Sequence, residues 1–454
     1  MKTLFSRLIL IEFLLFLFNG VVISQPCNQT NYLFTNQNQI DSFPINNPNC
    51  DEILGNIRID QEEDTLPINN LTGLAQIKRI NGDLSIRNSN IKNFIGLDSL
   101  MYVGGDFAFS NNDSLSQTEN VNSLSFIGRD LRVYGNKLLG SFIGFEGINS
   151  VRRLIIIQNE NLINLRGLEN IDTVYEHFNI RYNHALEDLD GLTNIKYVGG
   201  IFWIEKNDQL KDLEGIVNIN KIGGNAMINY NPSLISLEGL ESLSFIDGFL
   251  EISHNESIET VSGLENLSQV DGALWFNQNP QLNSLTSLTN LQEIYGTLWI
   301  KNNISLTSLN GLENIADSTM FDLFIEESPN LSFCSIQSIC NYLEGGGDHS
   351  VFGNAPSCSS AQSILDECDM ISNQSLNLKE AVKIYPNPVN DKLIIDTDRT
   401  SKLRFEVLDI YGRQVLKGMI EGQTILDLSD KSNGTYILWL YEDSISTKML
   451  FIKN

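Results

Sequence analysis

Cysteine is the residue type in this sequence with the most definite chemistry. The 454-residue chain holds six, Cys27, Cys50, Cys334, Cys340, Cys358 and Cys368. An even set in a chain with an export signal predicts disulfides, and the last four allow three pairings among themselves. Zinc is not expected, because no Cys-x-x-Cys pair is present and no histidine stands at ligand spacing beside them. The four histidines, His177, His184, His254 and His349, are scattered. Carboxylate runs such as Glu62-Glu63-Asp64 and Glu326-Glu327 have nothing nearby to shift their titration, so they read as solvated turn residues. No nucleophile elbow, Walker loop, His-Glu-x-x-His or EF-hand loop occurs. The expectation is a protein that is not an enzyme, with no catalytic residue, no cofactor and no metal; calcium at acidic turns is the alternative.

Recognition has better candidates than catalysis. Three of the four tryptophans, Trp203, Trp275 and Trp299, fall at one position of a repeated phrase, with Met227 in the same position and Phe249 flanking it. On one face of a sheet, such large amphipathic side chains suit contact with a protein or a glycan. The competing reading is that neighbours, a loop or the last domain cover them.

Residues so far apart share a face only if the chain itself repeats. Between Cys50 and Cys334 an apolar anchor recurs at Leu74, Leu97, Val121, Phe145, Leu168, Leu192, Ile216, Leu240, Leu264, Leu288 and Leu312, at spacings of 23 or 24 residues. From Leu192 the other apolar positions are Ile195, Val198, Phe202, Ile204, Leu210 and Leu213. No unit has a long enough run of 3.6 periodicity for a helix, whereas Phe202 and Ile204 alternate with Ile201, Trp203 and Glu205 as a short strand does. One such unit cannot bury its apolar side chains alone, and stacking supplies the core. The expected fold is mainly β, a right-handed parallel β-solenoid of about eleven turns.

A polar column accompanies the apolar ones: Asn88, Asn112, Asn136, Asn159, Asn183, Asn207, Asn231, Asn255, Asn279 and Asn303. Buried amides have donors and acceptors for backbone groups of their own and adjacent turns, so the column reads as a structural asparagine ladder. The Leu-x-x-Leu-x-x-Leu spacing followed by Asn resembles a leucine-rich repeat. The phrase from Cys50 to Ile59 (CDEILGNIRI) resembles the start of receptor L domains. That resemblance, over residues 50–333, implies a β-solenoid with a binding role and carries no catalytic residue.

The ends depart from the repeat. Lys2 and Arg7, the apolar run Leu8 to Phe18, and Val22 and Ser24 before Gln25 predict a signal peptide over residues 1–24. An N-terminal segment spans 25–49, where Cys27 pairing with Cys50 would close that end. Residues 334–370 are expected to form a disulfide-bonded cap with a helix around Ala361 to Cys368, and 371–381 a linker. Alternating strands then predict a small C-terminal β-sandwich. The phrases Ile384-Tyr385-Pro386-Asn387-Pro388, Leu408-Asp409-Ile410-Tyr411-Gly412-Arg413 and Asn433-Gly434-Thr435-Tyr436 make residues 382–454 similar to the sorting domain of the type IX secretion system. The resemblance implies the secretion machinery as a partner and a secreted or cell-surface product, on the outer face of the outer membrane if anchored.

With 56 Asp and Glu against 30 Lys and Arg, the net charge is -26, which excludes nucleic acid as a main partner. No span crosses a membrane in the mature chain by this reading. The function expected is an exported binding or adhesion protein whose solenoid takes a protein or glycan. The alternatives are a purely structural stalk and a polysaccharide-acting β-helix enzyme.

Overall fold

The structure, a computed structural model, describes residues 25–397, 402–442 and 445–454; the expected signal peptide lies outside them. The described residues form two compact units, one of 25–332 together with 347–355, the other of 333–346 and those from 356 on.

The first unit is a parallel β-solenoid. Its long sheet has fourteen strands in chain order, from Tyr32–Phe34 to Asp348–Phe352. Strands of two residues form the other side, four from Glu52–Ile53 to Phe126–Ile127 and seven from Ser150–Val151 to Glu293–Ile294. The eleven anchors undercount the turns, which number about thirteen. The N-terminal segment adds a strand at Tyr32–Phe34 paired to Ile57–Asp60, and Asp348–Phe352, within the expected cap, pairs with Met320–Glu326.

The alternation of each strand is carried into the burial. Phe202 and Ile204 are fully buried with Leu192, Ile195, Val198, Leu210 and Leu213, and the same positions of the adjacent turns stack on them. The Gly-Leu phrase also has a physical cause. Gly239 turns at φ 110°, and a Cβ there would lie 1.8 Å from the Leu213 carbonyl oxygen of the preceding turn. Its N–H donates to Glu241, two residues on, at 3.0 Å. Later in the same phrase Asn266 reaches back to the Glu241 carbonyl at 2.7 Å.

The asparagine ladder joins three turns at each step. Asn207 accepts from the Asn183 N–H at 3.1 Å, donates through Nδ2 to the Ile180 carbonyl at 3.0 Å, and gives its own N–H to Asn231 Oδ1 at 3.1 Å. The same pattern runs from Asn112 to Asn303. Asn88 is not part of it. Its side chain is exposed and donates to Asp60, while Ser89 fills the buried position and bonds Asn112. The residue before each ladder position is left-handed, with φ 52° at Asn88 and 58° at Gln158, a conformation that costs an L-residue about 1 kcal/mol or more. Because Asn88 and Ser89 occupy this pair in reverse of the eye's preference for asparagine, sequence alone picks the wrong one. At the far end Ser328 stands in the ladder and Asn354 resumes it, accepting from the Ser328 N–H at 3.0 Å.

In the second unit, Cys334 pairs with Cys358 and Cys340 with Cys368; in the first, Cys27 pairs with Cys50. The helix Ala361–Ala381 runs through the expected linker, started by a capping box between Ser360 and Ser363. An antiparallel sheet of three strands and another of four then enclose Leu393, Ile395, Phe405, Val407, Leu438 and Phe451, with Leu378 of the helix in the same core. Among the described residues no helix is long and apolar enough to cross a membrane.

Candidate recognition face of the long sheet

Strand alternation turns every second side chain of the long sheet outward, and exact register stacks them in columns. One column reads Asn179, Trp203, Met227, Glu251, Trp275, Trp299 and Phe324. The three tryptophans, Met227 and Phe249 are all half-buried. Much of that burial is mutual. Phe249 stacks on Trp275 at 5.1 Å between centroids, and Trp275 meets Trp299 edge-to-face at 5.8 Å, as Trp299 meets Phe324 at 6.1 Å. The Arg181 guanidinium sits 3.8 Å from the Trp203 ring centroid, while Arg181 also bonds Asn179 and approaches Glu205 at 3.5 Å. Trp203 Nε1 donates to Asn229, whereas the buried Nε1 atoms of Trp275 and Trp299 have no hydrogen-bond partner among the described residues.

Toward the N-terminus the same face becomes ionic. A second ladder runs along the strand entrances, unrecognised in the sequence because its members change type. Asn31 accepts from the Asn56 N–H, Asn56 from Asp83, and Asp83 from Asp106, at 2.7, 2.7 and 2.8 Å. Later rungs use His177, whose Nδ1 accepts from Ile201, and Asn225, which accepts from Phe249. Arginines neutralise the carboxylates. Arg129 reaches Asp83 and Asp106, and Arg152 and Arg153 lie 2.9 and 3.0 Å from the fully buried Asp130, which Arg132 also contacts. Burial pushes the Asp130 carboxyl upward, but the bonds from Arg152, Arg132 and Arg153 outweigh it and hold it below the ordinary aspartate value.

Among the described residues, the acidic runs and the histidines singled out in the sequence stand apart from one another. Glu62, Glu63 and Asp64 are exposed, and Glu326 pairs with Lys301 at 3.2 Å. His184 bonds Asp208, His349 the Gly347 carbonyl, and His254 stacks on Tyr230, its imidazole pushed below the ordinary value by burial. Among the described residues no group of three His, Cys, Asp or Glu side chains is placed to hold a metal ion. What the face offers is aromatic area beside fixed charge.

Comparison with known sequences agrees with this geometry. No curated protein matches the chain. The Receptor L domain family matches residues 49–139 and 244–367, so Trp275, Trp299 and Phe249 lie in matched sequence and Trp203 and Met227 between the two stretches, in unbroken register with them. The Secretion system C-terminal sorting domain matches residues 383–454. The chain is therefore a β-solenoid similar over much of its length to receptor L domains, followed by a segment similar to sorting domains, which implies secretion or surface export.

Proposed function

We propose that the chain is an exported, non-catalytic binding protein that takes a protein partner on the aromatic half of its long sheet. The observation that carries the reading is the single column of Trp203, Trp275 and Trp299, half-buried and bordered by Arg181 and Lys301. Tryptophan and arginine are the residue types most often found where binding energy concentrates. A broad, gently ionic face without a deep cleft suits a folded partner better than a small molecule. Surface retention on the outer face of the outer membrane belongs to the same proposal.

Replacing Trp203, Trp275 and Trp299 together by Ala, followed by binding of the folded chain to cell surfaces, protein extracts and a glycan array, tests it. Loss of protein binding with the circular dichroism spectrum unchanged is expected. Unchanged binding refutes the tryptophan site, and binding to glycans alone refutes the protein partner. The mutual covering of the rings favours one second reading, a structural stalk, for which the parent chain binds nothing.

A further inference from the structure

Beside the tryptophan face lies a feature that the proposed protein site does not use. In the left-handed column that precedes the asparagine ladder, only Gly135 and Gly353 lack a side chain. Tyr182, Lys206, Tyr230 and Gln278 turn there at φ 54° to 58°, although none is a type that tolerates this conformation well. Gly135 and Gly353 prove that the backbone accepts glycine in this column. Side chains kept against a standing strain are the pattern of functional positions.

The ladder residue that follows is buried and the next one is not, as at Lys137, Asp208 and Glu256, so the left-handed side chains and the residues two positions on flank a shallow groove along the stacked turns. Two hollows lie along it. One, of about 460 Å³, is flanked by Asn111, Gln158, Glu160 and the Lys137–Asp113 ion pair; the other, of about 350 Å³, by Tyr230, His254, Gln278 and Glu256. Between them Lys206 Nζ stands 4.8 Å from the Tyr182 ring centroid and 5.5 Å from that of Tyr230, which stacks on His254 at 4.2 Å. The ring faces thus cover one another along the axis. Ring edges and polar ends are what a ligand in the groove meets, and Tyr230 is still 41% exposed.

We propose that this groove binds a neutral linear polysaccharide laid along the solenoid axis, with the hollow at Tyr230, His254 and Gln278 as its main subsite. The groove presents one side chain per turn, every ~4.8 Å, whereas an extended peptide repeats every ~3.3 Å and falls out of step within a few residues. A β-1,4-linked pyranose chain, extended as a ribbon, advances by close to one turn spacing per sugar. Amide, hydroxyl and imidazole groups both donate and accept, as sugar hydroxyls do. The net charge of -26 repels polyanionic glycans.

The test is calorimetric titration of the chain with the β-1,4-linked xylohexaose, cellohexaose and mannohexaose, with polygalacturonate as the charged control. At least one neutral hexasaccharide binds and polygalacturonate does not. The double variant Tyr230→Gly, Gln278→Gly loses about tenfold or more in affinity. Its Tm stays level or rises, because glycine relieves the left-handed strain. The variant with Trp203, Trp275 and Trp299 replaced by Ala keeps hexasaccharide binding, which separates this groove from the protein site. Failure of all three sugars to bind the parent chain overturns the proposal. So does parental affinity in the glycine variant, or an affinity loss accompanied by a fall in Tm, which would mark the column as structural.

Discussion

Asn207→Ala is the most searching perturbation of the ladder. Asn207 is completely buried, and its removal strands the Asn183 N–H, which it holds at 3.1 Å; the Ile180 carbonyl, which it bonds at 3.0 Å, stays within the strand pairing to the next turn. The freed N–H cannot reach water. An unsatisfied buried donor costs about 1–3 kcal/mol, which sets the expected loss at about 2–3 kcal/mol with the second carbonyl bond gone as well. Asn207→Ser is milder, at about 1 kcal/mol, because the ladder already accepts a hydroxyl. Ser328 takes the Asn303 N–H at 3.2 Å and donates to the Glu326 carbonyl. Asn218→Ala is the control: this side chain also bonds the preceding turn, through the Thr193 carbonyl at 2.7 Å, but in solvent. Water replaces that bond, and the loss stays below about 1 kcal/mol. Urea denaturation followed by circular dichroism reads the differences as shifts of the midpoint at constant m. Equal shifts for Asn207→Ala and Asn218→Ala, or a serine as damaging as alanine, would refute the argument that buried backbone satisfaction is the ladder's contribution.

Gly239→Ala should prevent normal folding or lower stability by about 3 kcal/mol or more, since φ 110° and a 1.8 Å approach to the Leu213 carbonyl leave no room for a methyl group; soluble yield and Tm check it. Asp130→Asn should lower stability by about 3 kcal/mol at pH 7, because three arginines lose their shared buried partner. The folded carboxyl titrates below its unfolded value of about 3.9, so its contribution is complete above that value and is lost as pH falls through the folded one. Parent and variant should therefore converge in denaturation experiments once the pH has fallen below the folded value. Deleting residues 383–454 should abolish appearance of the solenoid outside the cell while leaving its Tm unchanged, as fractionation and thermal melts would report.

The period of the solenoid was legible because its core positions repeat residue class as well as spacing, from Leu192 through Leu312. The turn count was not, because the terminal strands Tyr32–Phe34 and Asp348–Phe352 lack the Gly-Leu anchor and join the sheet through backbone pairing alone. The outward column of Trp203, Trp275 and Trp299 could be placed from alternation. Its edge-to-face packing could not, since ring angles depend on rotamers that sequence does not encode locally. Two structural columns escaped notice for a common reason. The rungs at Asn56, Asp83 and His177 share an acceptor atom rather than a residue type, and the rungs at Tyr182, Lys206 and Gln278 share only a backbone angle.

The near-constant register makes chain length a quantised variable. Excising Leu192 to Gly215 would remove one whole turn, joining Gly191 to Ile216, where the next copy of the same phrase begins. Every ladder, anchor and outward column would close over the gap, and the rod would shorten by about 4.8 Å. A deletion of half that size would leave one truncated turn that cannot present both its strand and its apolar side chains to its neighbours. Insertions and losses in such a gene are thus sorted by their arithmetic: multiples of one turn change how far the solenoid reaches, single residues are absorbed within a turn as in the 23-residue units and the 25-residue step from Trp299 to Phe324, and sizes between them break the stack at one turn.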